Sequence, residues 1–348
     1  MHRLRRFIQA LVNLSGASYT FALFGLLLLH WFGRDHRWWL AFLVNFMPFY
    51  FVPLVVLIVV ALSVRAYFAL VVAAPLALIG LVLYGPLFLP KATGTVSGSS
   101  LTLITFNVSD TNQHQDSVIA WLRQQHADVV LLQEVPMGWF VPFQQALGDL
   151  YPYQVEQLTD KGIRGNLTLS HFPLRLNPDT GGTPGFRSAL LNLGSRSITI
   201  YNVSLLTPVN SDPSLHVSFA GWFLDLLEHY SDTLRNLQIA HLLSQTDAET
   251  GAYIVAGDFN MSDQTSIYTR LTQHMEDTFR EAGIGLGTSW PAFQVVGLGA
   301  LPPLIRIDYI WHSREFRALS AEVGPYLGSD HLPVEATLNL NPLSAAAG

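Results

Sequence analysis

The sequence predicts an α/β domain that follows a helical N-terminal segment able to span a membrane. Half of the 348 residues are hydrophobic, and the apolar excess is concentrated in the first ninety residues. Residues 100–134 have the pattern of strand, helix and strand, which indicates a parallel βαβ unit. Several strands further along the chain end in acidic or amide residues. In α/β proteins such strand ends are where binding and catalytic sites form.

Composition divides the chain into four parts: a transmembrane segment (1–90), a linker (91–100), a globular domain (101–340) and a tail (341–348). The chain contains no cysteine, which excludes disulfides, cysteine nucleophiles and thiolate metal sites. Any metal ion must therefore be held by oxygen and imidazole ligands.

Charge is distributed as unevenly as hydrophobicity. The first hundred residues hold seven of the 19 Lys and Arg and one of the 25 Asp and Glu, which leaves a formal charge of −12 for residues 101–348. An acidic domain repels polyanions at long range, and non-specific DNA binding relies on a basic surface. Long nucleic acid is therefore a disfavoured partner.

Three apolar runs in the first ninety residues are long enough to cross a bilayer. Short polar breaks at residues 33–37 and 65–66 separate them, and tryptophans flank the first break as interfacial anchors do. The runs are Tyr19–Phe32 with a backward extension through Phe7–Ser18, Trp39–Val64, and Tyr67–Leu89. We expect a multi-pass membrane protein with the lipid bilayer as its partner.

Basic residues near the N-terminus predict the orientation of this segment. Arg3, Arg5 and Arg6 favour a cytoplasmic N-terminus, and three spans then place the globular domain outside the cytoplasm. Arg34 and Arg37 in the first loop favour the opposite arrangement. The linker at 91–100 is small and polar, as flexible tethers are, and it reaches at most about 35 Å when extended.

The globular domain begins with the βαβ unit. A strand over Ser100–Asn107 is followed by a helix over Ser117–Gln125 and an apolar strand over Ala127–Glu134. Parallel strands end at the same edge of a sheet, so we expect Asn107 and Glu134 to lie close together. An acid at a strand end is also typical of a solvated surface position.

The middle of the domain has weaker signals. A strand and turn are predicted over 165–173, a strand pair over 185–193 and 197–203, and an amphipathic helix through 234–243. Arg187 on the first strand of the pair is a candidate phosphate contact, although a surface ion pair is the more common role for such a residue.

Gly257-Asp258-Phe259-Asn260 follows an apolar strand over 252–256. An acid can activate a water molecule, and an amide can hold a phosphoryl oxygen without adding charge. Asp-x-Asn after a strand is also a common turn. The stretch gains significance from the other strand ends.

The end of the domain adds an acid and a histidine. Residues 306–311 are predicted to form a strand that carries Asp308, and 328–334 a tight turn that contains Asp330 and His331. A carboxylate can bind a metal while its neighbouring imidazole acts as acid or base. Asp308 is a candidate to orient and charge-stabilise His331.

Taken in order, these motifs resemble the endonuclease/exonuclease/phosphatase superfamily over essentially the whole globular domain. Each motif alone is weak, whereas five in the expected order are specific. Arg235-x-x-Gln238 on the preceding helix is similar to the family as well, and the apolar segment resembles that of membrane-anchored bacterial-type members. The five motifs are Phe106-Asn107, Gln133-Glu134, Gly257-Asp258-Phe259-Asn260, Ile307-Asp308-Tyr309-Ile310 and Ser329-Asp330-His331.

The resemblance implies a four-layer α/β sandwich of two mixed β-sheets and a Mg²⁺-dependent phosphoesterase, with Mn²⁺ as an alternative ion. By the same resemblance, Glu134 is the main metal ligand, with Asn107 and Asp330 near it. Asp258 positions or deprotonates the attacking water and Asn260 holds the phosphate. His331, paired with Asp308, acts on the phosphate or as general acid/base.

One position departs from the family pattern. Many hydrolases of the superfamily carry a second histidine where this chain has Ser204. Ser204 or Asn202 is then expected to donate a hydrogen bond to the phosphate instead. The departure leaves the leaving-group chemistry open.

We therefore expect a membrane-anchored phosphodiesterase or phosphomonoesterase that acts on a lipid head group or small phosphoester. A nuclease acting on short nucleic acid is the alternative within the same enzyme class. A membrane-tethered scaffold that has kept the fold without turnover is the alternative from another class. A scaffold has no need of the full set of six polar residues: Glu134, Asp258, Asn260, Asp308, Asp330 and His331.

Overall fold

The structure is a computed structural model that describes residues 2–33, 37–91, 98–158, 164–177, 185–194, 196–208, 230–295 and 299–341. Most of the expected linker and tail lie outside the described residues. The chain divides into two compact units. One comprises residues 1–89 and 264–266, and the other comprises 90–263 and 267–348.

The N-terminal unit is helical, and three of its helical stretches are long and apolar enough to cross a membrane by length and composition. The second apolar run, Trp39–Val64, contains one of these stretches, Met47–Val64, but the run is not a single helix, because the α-helix is interrupted after Val44. There the Asn45 side-chain amide donates to the carbonyl of Ala41, and a 3₁₀ turn over Met47–Tyr50 has Pro48 near its start. The helices are α1 (His2–Gly33), α2 (Trp38–Val44), α3 (Phe51–Val64) and α4 (Tyr67–Tyr84).

The second unit contains two six-stranded mixed sheets and a separate two-stranded hairpin. The first sheet has the order β13-β14-β1-β2-β4-β3 and the second β5-β6-β7-β8-β12-β9, while β10 pairs with β11. The strands are β1 (Ser99–Asn107), β2 (Val129–Pro136), β3 (Tyr153–Leu158), β4 (Arg164–Ser170), β5 (Leu174–Leu176), β6 (Phe186–Asn192), β7 (Ser197–Ser204), β8 (Tyr253–Asp258), β9 (Glu276–Asp277), β10 (Phe293–Val295), β11 (Gly299–Leu301), β12 (Asp308–His312), β13 (Phe316–Val323) and β14 (Val334–Leu340).

The sheets pack face to face with helices outside them, which confirms the four-layer sandwich. Alternation along each strand produces the layers, since successive side chains point to opposite faces. Leu103 of β1 packs between the sheets with Ile254, whereas Ile104 faces the outer helices of the first sheet. Those helices are α5 (Gln115–Gln124) and α6 (Phe140–Leu147), and the other α-helices in the described part of the domain are α7 (Thr233–Thr246), α8 (Ser266–Leu271) and α9 (Thr278–Ala282).

The two parallel strand pairs bring the polar strand ends to one edge. β1 runs parallel to β2, with Asn107 opposite Gln133, as the βαβ pattern predicts. In the second sheet β7 runs parallel to β8, with Ser204 opposite Asp258. Within each pair the carboxyl ends of the two strands therefore lie at the same edge of that sheet, and a hydrogen bond from Asn107 to Asp258 joins the two edges.

Gly257 allows the β7–β8 pair to close next to Asp258. Its φ is +147°, and a Cβ at this position would lie 1.9 Å from the carbonyl oxygen of Val203. Gly257→Ala is therefore expected to lower the free energy of unfolding by roughly 3–5 kcal/mol, from overpacking and backbone strain. Denaturant unfolding in detergent micelles, followed by tryptophan fluorescence, measures the loss.

Gly251 provides the matched control, because a Cβ there would meet nothing within 4 Å. Gly251→Ala is expected to change the free energy of unfolding by less than about 0.5 kcal/mol. Equal unfolding midpoints for the two variants would contradict the packing argument.

Candidate active site

A buried Asp–His pair forms the centre of the site. His331 Nδ1 lies 3.0 Å and 3.2 Å from the two carboxylate oxygens of Asp308. The other ring nitrogen, Nε2, lies 3.8 Å from Oδ2 of Asp258. All three residues are buried. The fold brings them together because Asp308 and Asp258 are directly opposite each other on β12 and β8, while His331 enters from the turn before β14.

Burial and neighbouring charges shift the pKa values of this group. Burial is the largest influence on the His331 imidazole and lowers its pKa, but Asp308 and Asp258 outweigh it and raise the pKa to about 10. Burial raises the pKa of Asp258 to about 7, against the opposing effect of His331. A carboxylate with a pKa near neutrality is well matched to accepting a proton at neutral pH.

Amide donors fix the orientation of the Asp258 carboxylate. The Asn107 amide donates to its Oδ2 at 3.0 Å, and the backbone N–H of Asn260 donates to its Oδ1 at 2.8 Å. The Asn260 side-chain amide donates to Asp258 and to the carbonyl of Leu205. Both of its amide hydrogens are thus used within the loop, so holding a phosphoryl oxygen requires Asn260 to release one of them.

The Arg235-x-x-Gln238 pair on α7 holds the loop of Asn260 and the segment after β7 through hydrogen bonds to their backbone. The Arg235 guanidinium is buried and donates to the carbonyl of Asn260 at 2.6 Å. The Gln238 side-chain oxygen accepts from the backbone N–H of Leu206 at 2.9 Å. The motif therefore positions the two chain segments that follow β7 and β8.

Glu134 lies in an irregular part of β2. Pairing between β2 and β4 shifts register between Leu132 and Val135, and Glu134 has a φ of +54°. Its carboxylate forms an ion pair with Arg164 at 2.5 Å. Burial raises the pKa of Glu134, and the charges of Arg164 and His331 partly oppose that effect.

Arg164 was not among the site residues predicted from the sequence. It lies at the start of β4, opposite Pro136, and also pairs with Asp110 at 3.1 Å. The sequence signal that could have identified Arg164 is a basic residue at the start of β4, the strand that pairs with the strand of Glu134. The antiparallel β2–β4 pairing was needed to interpret it.

Ser329 and Trp290 hold the turn that carries Asp330 and His331, and Ser289 holds the start of β12 at Asp308. Ser329 Oγ donates to the carbonyl of Asn107 at 2.7 Å and accepts from the His331 N–H. The Trp290 indole N–H donates to Asp330 at 3.2 Å. Ser289 Oγ accepts from the backbone N–H of Asp308. Trp290 and Ser289 belong to no motif and were missed.

The donor set fits a divalent cation. Among the described residues, ligand atoms of Asp258, Asp308 and His331 lie within 4.8 Å of one another. The charges of Glu134 and Asp330 also act on this group. Glu134 raises the pKa of Asp258, and Asp330 raises the pKa of His331. Several acids in a desolvated site, two of them with raised pKa values, carry excess negative charge that a divalent cation would offset. Oxygen donors of this kind suit Mg²⁺.

The three expected substrate contacts have different positions. Ser204 ends β7 directly opposite Asp258, at the site edge. Arg187 is half-buried on β6, opposite Asn202. Asn202 lies between the sheets, where its amide donates to Thr168 at 3.1 Å and its oxygen accepts from Gln133 at 2.9 Å. The expected phosphate contact by Asn202 is wrong, because its hydrogen-bonding groups are used inside the core.

Asn202 is therefore expected to contribute to stability rather than to substrate binding. Asn202→Ala leaves the buried amide of Gln133 with one acceptor fewer, and is expected to lower the free energy of unfolding by roughly 2–3 kcal/mol. Ser204→Ala at the sheet edge is the comparison and is expected to cost less than about 1 kcal/mol. Denaturant unfolding of both variants decides whether their costs differ in this order.

Comparison with known proteins agrees with the fold and with the family resemblance. The sequence model described as the Endonuclease/Exonuclease/phosphatase family matches residues 104–331. No curated protein matches the chain. An endonuclease/exonuclease/phosphatase from Beutenbergia cavernae is 20% identical, with a TM-score of 0.50 over 71% of this chain and 73% of that one.

Two further solved structures share the fold. An endonuclease/exonuclease/phosphatase from Bacteroides vulgatus is 18% identical, with a TM-score of 0.52 over 70% of this chain and 100% of that one. Truncated Caenorhabditis elegans TDP2 is 15% identical, with a TM-score of 0.52 over the same shares. The family model covers well over half of the chain, so this protein belongs to the endonuclease/exonuclease/phosphatase family.

Proposed function

We propose that this protein is a membrane-anchored, divalent-metal-dependent phosphoesterase that acts on a lipid head group or another small phosphoester. Its family is typically one of metal-dependent phosphoester hydrolases. The observation that carries the proposal is the buried Asp308–His331 pair, whose second ring nitrogen, Nε2, lies 3.8 Å from Asp258 and 3.5 Å from the Asn107 amide. Scaffolding requires no such pair, whereas proton transfer in hydrolysis does.

Each of these side chains has a role that follows from its contacts. Asp258 accepts a proton from the attacking water, and the amides of Asn107 and Asn260 hold its carboxylate in one orientation. Asp308 fixes the His331 ring through Nδ1 and keeps it protonated. His331 Nε2 then stabilises a phosphoryl oxygen or donates a proton to the leaving group.

Glu134, Asn107 and Asp330 are the residues proposed to hold the metal ion. Glu134 is largely buried beside Arg164, whereas Asp330 is exposed at the mouth of the site. A bound Mg²⁺ or Mn²⁺ ion would offset negative charge on the phosphoryl oxygens. Ser204 and Arg187 remain the proposed substrate contacts, with Ser204 nearer to Asp258 along the strand ends.

Charge and membrane attachment support the choice of substrate class. Residues 101–348 carry a formal charge of −12, which disfavours long nucleic acid. Three helical stretches of the same chain can cross a membrane, so the domain would work close to lipid. The basic N-terminal residues favour a domain outside the cytoplasm.

The test uses the full chain in detergent micelles with three substrates: a phospholipid, a chromogenic phosphodiester and short single-stranded DNA. Turnover is measured with Mg²⁺ and with EDTA, for the native chain and for Glu134→Ala and His331→Ala. We expect turnover that requires the metal and is lost in both variants, with the lipid or small ester preferred over DNA.

Asp116→Ala removes an exposed acid on α5 and is the matched control. It is expected to retain native turnover. Preference for single-stranded DNA would replace the lipid proposal with the nuclease alternative. A folded chain that binds Mg²⁺ but hydrolyses none of the three substrates would support the scaffold alternative.

A further inference from the structure

A group of exposed apolar side chains lies close to the candidate active site. We call Ile284, Phe293, Leu301 and Leu304 the apolar hairpin surface. Their side chains are 58%, 44%, 37% and 42% exposed, respectively. Single exposed apolar residues are common, but a group of this kind in one segment is typical of an interaction site.

The β10–β11 hairpin places two of these side chains next to each other. Phe293 and Leu301 are directly opposite each other in the antiparallel pair, so their side chains lie on the same face. Ile284 and Pro303, the neighbour of Leu304, line one open cavity of about 590 Å³. The backbone N–H of Leu304 donates to the carbonyl of Trp290 at 3.0 Å, which joins the segment beside the cavity to the base of the hairpin.

The base of the hairpin is joined directly to the active-site turn. The backbone N–H of Ala292, which precedes β10, donates to the carbonyl of Asp330 at 2.7 Å. Trp290 donates to the carboxylate of the same residue. Leu332, which follows His331, also lines the cavity. A molecule resting on the apolar hairpin surface would thus lie next to the proposed phosphate site.

The charge pattern distinguishes this segment from the rest of the domain. Residues 282–305 contain no Asp, Glu, Lys, Arg or His, although 13% of the chain is charged and the domain is acidic. A surface that meets water or a soluble partner gains solubility from charges. A surface that enters hydrocarbon loses stability from every charge it carries. The composition favours hydrocarbon.

We propose that the apolar hairpin surface inserts into the hydrocarbon of the bilayer and that the phosphate of a lipid substrate enters the site beside it. The proposal rests on the membrane attachment and the lipid-head-group substrate proposed above. Lipid is the proposed ligand of this surface because the same chain carries three possible membrane spans. Attachment through these spans would keep the domain near a bilayer. A second copy of the chain is the competing occupant.

The absence of native cysteine permits a direct test, because one introduced cysteine is a unique labelling site. Phe293→Cys and Leu301→Cys are labelled with an environment-sensitive fluorophore, and the full chain is reconstituted into phosphatidylcholine vesicles with brominated acyl chains. Gln124→Cys, on the exposed face of α5, is the control. Bromine quenching at 293 and 301 is expected to exceed that at 124 by at least about twofold.

Quenching at 293 and 301 no greater than at 124 would overturn the proposal. Protection of these labels that rises with protein density in the vesicle would assign the surface to a second copy and overturn it as well. The quenching measurement does not depend on catalysis. It therefore tests insertion of the apolar hairpin surface separately from the proposed phosphoesterase activity.

Turnover provides the second arm. Phe293→Ser combined with Leu301→Ser is expected to lower kcat/KM on a vesicular phospholipid roughly tenfold, because two apolar contacts are lost. The same variant is expected to hydrolyse a soluble chromogenic ester at the native rate. Equal losses on both substrates would indicate damage to the site rather than loss of a lipid contact, and would contradict the proposal.

Discussion

Replacing Asp258 with asparagine is expected to reduce turnover of a phosphoester by about 10²–10⁴-fold, the range that general-base catalysis contributes. The carboxylate accepts hydrogen bonds from Asn107 and Asn260 and faces His331 Nε2 at 3.8 Å. An amide of the same size cannot accept a proton from water. It would also direct N–H groups toward neighbouring N–H donors and lose the aligned geometry.

The measurement is kcat and KM for the soluble ester, with Mg²⁺ present. We expect the loss in kcat, because Asp258 acts on water rather than on the substrate. Asp116→Asn on the exposed face of α5 is the control and should match the native chain. A variant that retains more than about a tenth of native kcat would exclude Asp258 as the base.

Replacing Asp308 with asparagine is expected to move the alkaline limb of the pH–rate profile to lower pH. The Asp308 carboxylate is the main group that raises the His331 pKa to about 10, against burial, which lowers it. Loss of one close opposite charge shifts a pKa by roughly 1–3 units. If the imidazolium is the active form, kcat/KM should fall at pH 8–9 far more than at pH 6.

A surface Asp–His pair provides the control for this experiment. Asp247 contacts the ring of His274 at 2.7 Å outside the site, and Asp247→Asn is expected to leave the profile unchanged.

The raised pKa of His331 also predicts how the stability of the protein depends on pH. A histidine with a raised folded-state pKa stabilises the protein fully below pH 6.5, and this contribution is lost as the pH rises toward 10.

The stability of the native chain should therefore decline between pH 6.5 and 10, and that of Asp308→Asn should decline less. Chemical denaturation at pH 6, 8 and 10 measures both slopes. If the alkaline limb of the pH–rate profile lies at the same pH in Asp308→Asn as in the native chain, the Asp308 charge does not control the pKa of His331.

The position of the site was predictable because strand ends are local features. Asn107, Glu134 and Asp258 each follow an apolar run, and parallel pairing places such ends together. The pairing of Asp308 with His331 was also predictable, from the chemistry of carboxylates and imidazoles. Those inferences needed only sequence neighbours and one rule of sheet geometry.

What the sequence left undetermined depends on long-range register. The irregularity at Glu134 and its Arg164 partner arise from the β2–β4 pairing, which joins distant segments with a shift. Asn202 and Ser204 lie on one face of β7, and only the opposing sheet distinguishes a core amide from an edge hydroxyl. The β10–β11 strands are three residues long, too short for a periodic signal.

Two proposed active-site residues occupy left-handed backbone conformations, with φ of +54° at Glu134 and +50° at Asn260. For residues other than glycine such conformations cost of order 1–3 kcal/mol each. Glycine would relieve that cost, but it would remove the proposed metal ligand at 134 or the side chain that holds Asp258 at 260. Directed evolution for heat resistance alone should thus favour inactive chains, and a thermostable catalyst requires selection for turnover in every round.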